Sequence, residues 1–266
     1  MNEPIQLYPV SIVGTGPGDP DFLTVKASRV IREADIILYD CQPAKLVLNS
    51  LPTSATVIYV SRHPQEGDEN SYPGKSLLDL VQENYLNGKK VVRLKVGDPM
   101  LFGGELNDHV ALSQMNIPFE VIPGISAGVG AASAYALSIS AKYESDSVTH
   151  LIAHEIRDNF ALIRDAARLL LHGSTIVLYM ADEHLEAIFN VFSEEGIPED
   201  MPVVAVCMVG WPEEFYVSST MKCMGKGLAN NALKKPIVYF VGKYVSIGNI
   251  VKDHARPVME LVKQPC

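Results

Sequence analysis

Val91-Val92-Arg93-Leu94-Lys95-Val96-Gly97-Asp98-Pro99 runs from an apolar, strand-like stretch straight into a glycine-aspartate-proline loop. An earlier junction has the same form: Val10-Ser11-Ile12-Val13 leads into Gly14-Thr15-Gly16-Pro17-Gly18-Asp19-Pro20. Glycine permits close backbone approach, proline fixes φ, and aspartate offers an acceptor. Two such turns at strand ends in one α/β chain indicate a small-molecule cleft, because ligands of open α/β sheets bind beyond the carboxyl ends of the strands.

Working outward, Ile36-Ile37-Leu38-Tyr39, Ala55 to Val60 and Phe119-Glu120-Val121-Ile122 read as further strands. Phe22 to Glu33, with Leu23, Ala27, Val30 and Ile31 on one side, reads as helix, as do Ser76 to Leu86 and Gly104 to Met115. Apolar strands between helices predict a mostly parallel sheet covered on both faces. Gly14, Asp40, Ser61, Lys95 and Pro123 then lie at the carboxyl ends of its strands. Gly124 to Ala136 is rich in small residues and reads as a tightly packed helix or a crossing linker. Beyond it, strands are expected at Val148 to Ala153, Thr175 to Met180, Val203 to Met208 and Phe215 to Ser219, with Pro236 to Val241 closing the sheet. Helices are expected at Phe160 to Leu171 and Leu185 to Glu195. The direct strand-to-strand steps predict a mixed sheet. The fold class is therefore α/β, with an N-terminal domain over 1–122 and a C-terminal domain over 123–266.

Composition narrows the function. The chain is 47% hydrophobic and 20% charged, as soluble globular proteins are. Its 22 Lys and Arg against 31 Asp and Glu leave a net charge of -9, which argues against a nucleic-acid partner. No apolar run reaches the roughly 18–20 residues of a membrane span. Met1-Asn2-Glu3-Pro4 does not begin a signal peptide, so cytoplasmic residence is expected by default. Cys41, Cys207, Cys223 and Cys266 form no C-x-x-C pair or histidine cluster, and no metal site is expected.

The first loop is a poor dinucleotide fingerprint. Asp19 stands where G-x-G-x-x-G requires glycine or alanine, and its carboxylate would repel a pyrophosphate. The Gly-Lys-Ser/Thr ending of a phosphate-binding Walker loop is also missing. The combination of segments is more specific. Val13 to Thr24, Ala34 to Asp40, Val92 to Pro99 and Val121 to Ala127, followed by Tyr179-Met180 and Val238 to Lys243, together resemble the tetrapyrrole methyltransferase family over nearly the whole chain.

The resemblance implies a two-domain α/β homodimer with S-adenosylmethionine bound in a cleft between the domains and S-adenosylhomocysteine as by-product. By match of motif, Pro17, Val96, Gly97, Asp98 and Leu101 are expected to contact the cofactor. Ser126 and Ala127 are expected at its methionine end, and Met180 and Val209 at its adenine. A cofactor without phosphates needs no basic loop, and a sulfonium favours a carboxylate-bearing site. The plainer reading of Asp98 is a turn-capping aspartate, and that of Met180 is core packing. The implied reaction is C-methylation of uroporphyrinogen III to precorrin-2, on the way to siroheme and cobalamin.

The family's acid/base pair maps onto Asp40 and onto Arg62, where the family has lysine. Arginine donates no proton near neutral pH, but it can hold a carboxylate. His63 is then a substitute proton carrier, unless Arg62 and His63 form only a solvated basic turn. Other substrate-side positions also depart from the family. After Phe102 the chain reads Gly103-Gly104-Glu105-Leu106-Asn107-Asp108, without the arginine of the family members it most resembles, and Ser138 to Lys142 replaces their Pro-Leu-Thr-His-Arg run. Lost basic residues weaken binding of a polycarboxylate, with Lys142, Arg62, His63 and Lys95 expected to compensate. Two alternatives follow: a family methyltransferase acting on a later precorrin or another acceptor, and a cofactor-binding paralogue that no longer catalyses.

Overall fold

The structure is a computed structural model, and it describes residues 5–60, 75–102, 108–153, 160–227 and 233–245. The chain divides into two compact units, Met1–Ser126 and Ala127–Cys266.

In the first unit, β1 (Val10–Gly14), β2 (Ile36–Tyr39), β3 (Thr56–Tyr59), β4 (Val91–Lys95) and β5 (Phe119–Ile122) form one sheet in the order β3-β2-β4-β1-β5. Every pairing is parallel. Side chains alternate between faces with period two. Val10, Ile12, Ile36, Leu38 and Val91 pack with Leu80 and Val81 of α3 (Leu77–Leu86) and Leu112 of α4 (Asp108–Gln114). Val13, Ile37, Val92 and Leu94 pack with Ala27 and Ile31 of α1 (Val25–Arg32) and Ala44 of α2 (Gln42–Ser50). Helices thus cover both faces, as a parallel sheet requires. α1 begins where Thr24 accepts the Ala27 amide, and α3 begins with a capping box between Ser76 and Asp79.

The second unit opens with α5 (Ala127–Ala134), so the small-residue segment is a packed helix. Its sheet joins β6 (Val148–Ile152), β7 (Thr175–Tyr179), β8 (Pro202–Cys207), β9 (Phe215–Thr220) and β10 (Ile237–Val241) in the order β6-β7-β10-β8-β9. β6 and β7 are parallel and the other pairings are antiparallel, which makes the sheet mixed. α6 (Ala161–Leu171), α7 (Leu185–Glu194) and α8 (Met221–Gly227) cover one face, and α5 with Tyr135 and Leu137 covers the other. The expectation that the last strand closes the sheet is corrected. β10 lies in the middle, between β7 and β8, and its five residues are all buried. A strand apolar on both faces belongs in the interior of a sheet.

Candidate functional site

In the first unit, the loops after β4, β1 and β5 stand side by side at the carboxyl edge of the sheet. Thr15 donates its amide to the Lys95 carbonyl at 2.8 Å and its hydroxyl to the same oxygen at 3.0 Å. Gly16 and Gly97 then exchange two backbone hydrogen bonds, at 3.2 and 2.8 Å. This contact holds Gly97 at φ +67°, a left-handed conformation that disfavours any side chain. A Cβ on Gly124 would lie 2.1 Å from the Gly97 carbonyl oxygen, and one on Gly14 would lie 2.6 Å from the Gly124 amide nitrogen. Main chain therefore touches main chain across all three loops.

The sequence-predicted residues sit on this frame. Pro17 is buried, and Val96, Asp98 and Leu101 are partly exposed. Asp98 accepts the Met100 amide on Oδ1 at 2.8 Å and the Gly124 amide on Oδ2 at 3.1 Å. The turn-capping geometry is thus present, and it also ties the β4 loop to the β5 loop. Ser126 is 8% exposed and immediately precedes α5. The rim of these loops is built mainly from backbone groups of closely packed glycines.

Below the rim lies a cluster of four charges. Arg93 donates to Asp40 Oδ2 at 2.5 Å, to Asp108 Oδ2 at 3.2 Å and to the Leu94 carbonyl at 3.0 Å. Lys95 Nζ lies 3.2 Å from Asp108 Oδ2, and none of the four side chains is more than 7% exposed. Asp108 Oδ1 is buried without a hydrogen-bond partner among the described residues. Burial pushes the Lys95 ammonium below its ordinary range and Arg93 adds to that shift, while Asp108 and Asp40 oppose it. Lys95, expected as a spare cation for substrate, is thus an internal partner of Asp108. The partnership of Arg93 and Asp108 with Asp40 escaped the sequence reading. Its signal was two cations at alternate positions of an otherwise apolar strand, since buried charges require partners.

In the second unit, the register places the carboxyl ends of β6, β7 and β8 and the amino end of β10 at one sheet edge, through Ile152↔Tyr179, Tyr179↔Val238 and Cys207↔Ile237. Met180 follows β7 with φ 53° and is 55% exposed, so it is not a core residue. Met208 follows β8, also with φ 53°. Each such left-handed non-glycine residue costs about 1–3 kcal/mol, and strain of this kind gathers at functional sites. Val209 comes next, 3% exposed, within the apolar cluster that includes Val206 and Tyr135. Ala127 opens α5 and packs against the same cluster. The Tyr179 hydroxyl lies 2.9 Å from His150 Nδ1, and a Cβ on Gly128 would lie 2.3 Å from that hydroxyl. Burial lowers the His150 pKa. Lys142 is exposed and lies over the Tyr143 ring.

Arg62, with Ser61 and His63, lies outside the described residues, as do Gly103 to Asn107. Among the described residues no group of His, Cys, Asp or Glu is placed to hold a metal ion, and no helix is long and apolar enough to cross a membrane.

Comparison with known proteins adds a family. A model of the tetrapyrrole (corrin/porphyrin) methylases matches residues 9–224. A uroporphyrinogen-III C-methyltransferase of Paracoccus denitrificans is 30% identical over 260 residues, covering 95% of this chain and 88% of that protein. A siroheme synthase of Nitrosomonas eutropha is 31% identical over 90% of this chain but over only 49% of its own length, so the chain spans about half of that longer relative. Among solved structures, a cobalt precorrin-4 methyltransferase of cobalamin biosynthesis aligns with a TM-score of 0.73 and 27% identity, over 88% of this chain and 94% of that one. A uroporphyrin-III C-methyltransferase from Thermus thermophilus, complexed with S-adenosyl homocysteine, shares the fold with a TM-score of 0.69 at 23% identity, over 89% of this chain and 98% of that one. The family match runs from β1 through β9, well over half of the chain, and on that ground the chain belongs to the tetrapyrrole methylases.

Proposed function

We propose that the chain is an S-adenosylmethionine-dependent C-methyltransferase whose acceptor is uroporphyrinogen III and whose product is precorrin-2. The observation that carries this reading is the glycine contact among three strand-end loops in a chain that belongs to the tetrapyrrole methylases. The bound cofactor supplies an electrophilic methyl group. Backbone groups of Val96 and Gly97, with Pro17 and Leu101 beside them, hold it on the first unit, while Asp98 keeps the loop in shape. Ser126 and Ala127 take its methionine end, and Met180 and Val209 take its adenine. Transfer of this kind needs alignment and exclusion of water more than covalent help.

When a pyrrole carbon bonds the methyl group, the ring must lose a proton. Asp40, at the end of β2 and fixed by Arg93, is the acceptor. Arg62 holds a carboxylate of the acceptor in place of the family's lysine. The segment after Phe102, without the arginine expected of a uroporphyrinogen-III methylase, favours a second reading in which the acceptor is a later corrin precursor. The homodimer and cytoplasmic residence belong to the same proposal. Light scattering would then give twice the 29.1 kDa chain mass.

Calorimetry with S-adenosylhomocysteine should show one site per chain, and uroporphyrinogen III with the cofactor should yield a doubly methylated product. No heat refutes the cofactor site. Binding without product from uroporphyrinogen III, but with product from a precorrin, moves the reading to the second acceptor.

A further inference from the structure

The turn after β8 is held by a buried carboxylate that the proposed chemistry does not use. Glu214, just before β9, is 7% exposed. Its Oε2 accepts the Gly210 amide at 2.6 Å, and the Tyr135 hydroxyl is hydrogen-bonded to the same carboxylate. Tyr135 follows α5 and is 1% exposed, with its ring edge-on to Tyr216 at 4.9 Å. Burial, reinforced by Glu214, pushes the Tyr135 phenol far above its ordinary range, so it remains a donor. The turn bends tightly. Met208 donates to the Pro236 carbonyl at 2.7 Å, Trp211 donates to the Met208 carbonyl at 2.9 Å, and Met208 and Gly210 are both left-handed. Between those two left-handed residues stands Val209.

A carboxylate is costly to bury without partners. Here it joins two segments distant in sequence, the end of α5 and the turn of Met208 to Gly210. α5 begins with Ala127, so the two segments joined by Glu214 each carry a residue assigned to the methyl donor. We infer that Glu214 is a positioning residue for the nucleoside end of the methyl donor: it bonds the Gly210 amide and the Tyr135 hydroxyl and so fixes Val209 relative to α5. The inference rests on the proposed roles of Val209 and Ala127. An effect on positioning falls equally on ground state and transition state, so it raises KM for the donor and leaves kcat unchanged.

The test uses the whole protein, with S-adenosylhomocysteine as probe in calorimetry and S-adenosylmethionine in the methylation assay. Glu214→Ala should weaken S-adenosylhomocysteine binding roughly tenfold, as expected for a lost charge-assisted hydrogen bond. KM for the donor should rise in parallel and kcat should hold within about twofold. Glu214→Gln, which keeps an acceptor for Gly210, should recover most of the affinity. Parent affinity in a folded Glu214→Ala protein overturns the inference, as does a fall in kcat at unchanged KM. If circular dichroism shows Glu214→Ala unfolded, Tyr135→Phe replaces it. About threefold weaker binding is then expected, and parent affinity overturns the inference. Failure of the parent protein to bind S-adenosylhomocysteine would instead remove the nucleoside site itself.

Discussion

Asp98 does at one residue what a loop of this kind needs done twice. Its two oxygens satisfy the amides of Met100 and Gly124, so the chain after β4 and the chain after β5 share one anchor. Asp98→Ala removes both acceptors and should cost about 2 kcal/mol in urea unfolding. It should also weaken S-adenosylhomocysteine binding at least tenfold by about the same energy. Asp98→Asn, which keeps one acceptor, should fall between. Lys95 makes a prediction of opposite character. Burial lowers its pKa from the 10.5 of an unfolded lysine, so between the two values the folded state binds fewer protons than the unfolded one. Stability from this group therefore rises with pH across that window and is lost as pH falls through the folded value. Relative to Lys95→Met, the parent should gain stability as pH rises toward the 10.5 of an unfolded lysine, read from urea midpoints at each pH. No gain would mean that Asp108 offsets the burial in full.

At the scale of elements, the site depends on how closely three strand ends approach. Gly124→Ala would place a methyl group 2.1 Å from a carbonyl oxygen, which no rotamer change relieves. The loops would have to part, at a cost of about 1–3 kcal/mol, and calorimetry should show weaker S-adenosylhomocysteine binding even at temperatures where the variant is fully folded. Apolar periodicity made β1, β2, β4, β5, α6 and α7 legible in the sequence, because each buries a continuous face. α2 was not read. Its Pro43 resembles a loop residue yet sits in the first turn, where a missing N–H costs nothing. α8, with Gly225 and Gly227, carries too weak a helical signal to stand out. The glycine loops themselves were visible, but their pairing was not. Gly16 and Gly97 meet only because β4 inserts between β1 and β2, and sheet order leaves no trace in local pattern. The same holds for the charge cluster. Asp40, Arg93 and Asp108 come from β2's end, β4 and α4, and only the folded sheet brings them within hydrogen-bonding distance.

Across the whole molecule, the two units solve the same problem with different connectivity. The first takes all its strands in one direction and places its loops at one edge. The second reaches a common edge with mixed directions, because β7 and β8 both run opposite to the strand between them. Composition and alternation were enough to predict this division of sheet types, since direct strand-to-strand steps appear only after Val203. The order of strands in the second sheet was not predictable that way. That order constrains how the polypeptide emerges from a ribosome. Until Ile237 to Val241 have left the exit tunnel, β7 and β8 each present a bare row of amides and carbonyls to the cell, because the strand that joins them has yet to appear. The first unit can be complete well before then. The second stays vulnerable to sticking and to proteases until β10 is made, so a stop codon ahead of Pro236, by removing that strand, would leave β7 and β8 each with an unpaired edge.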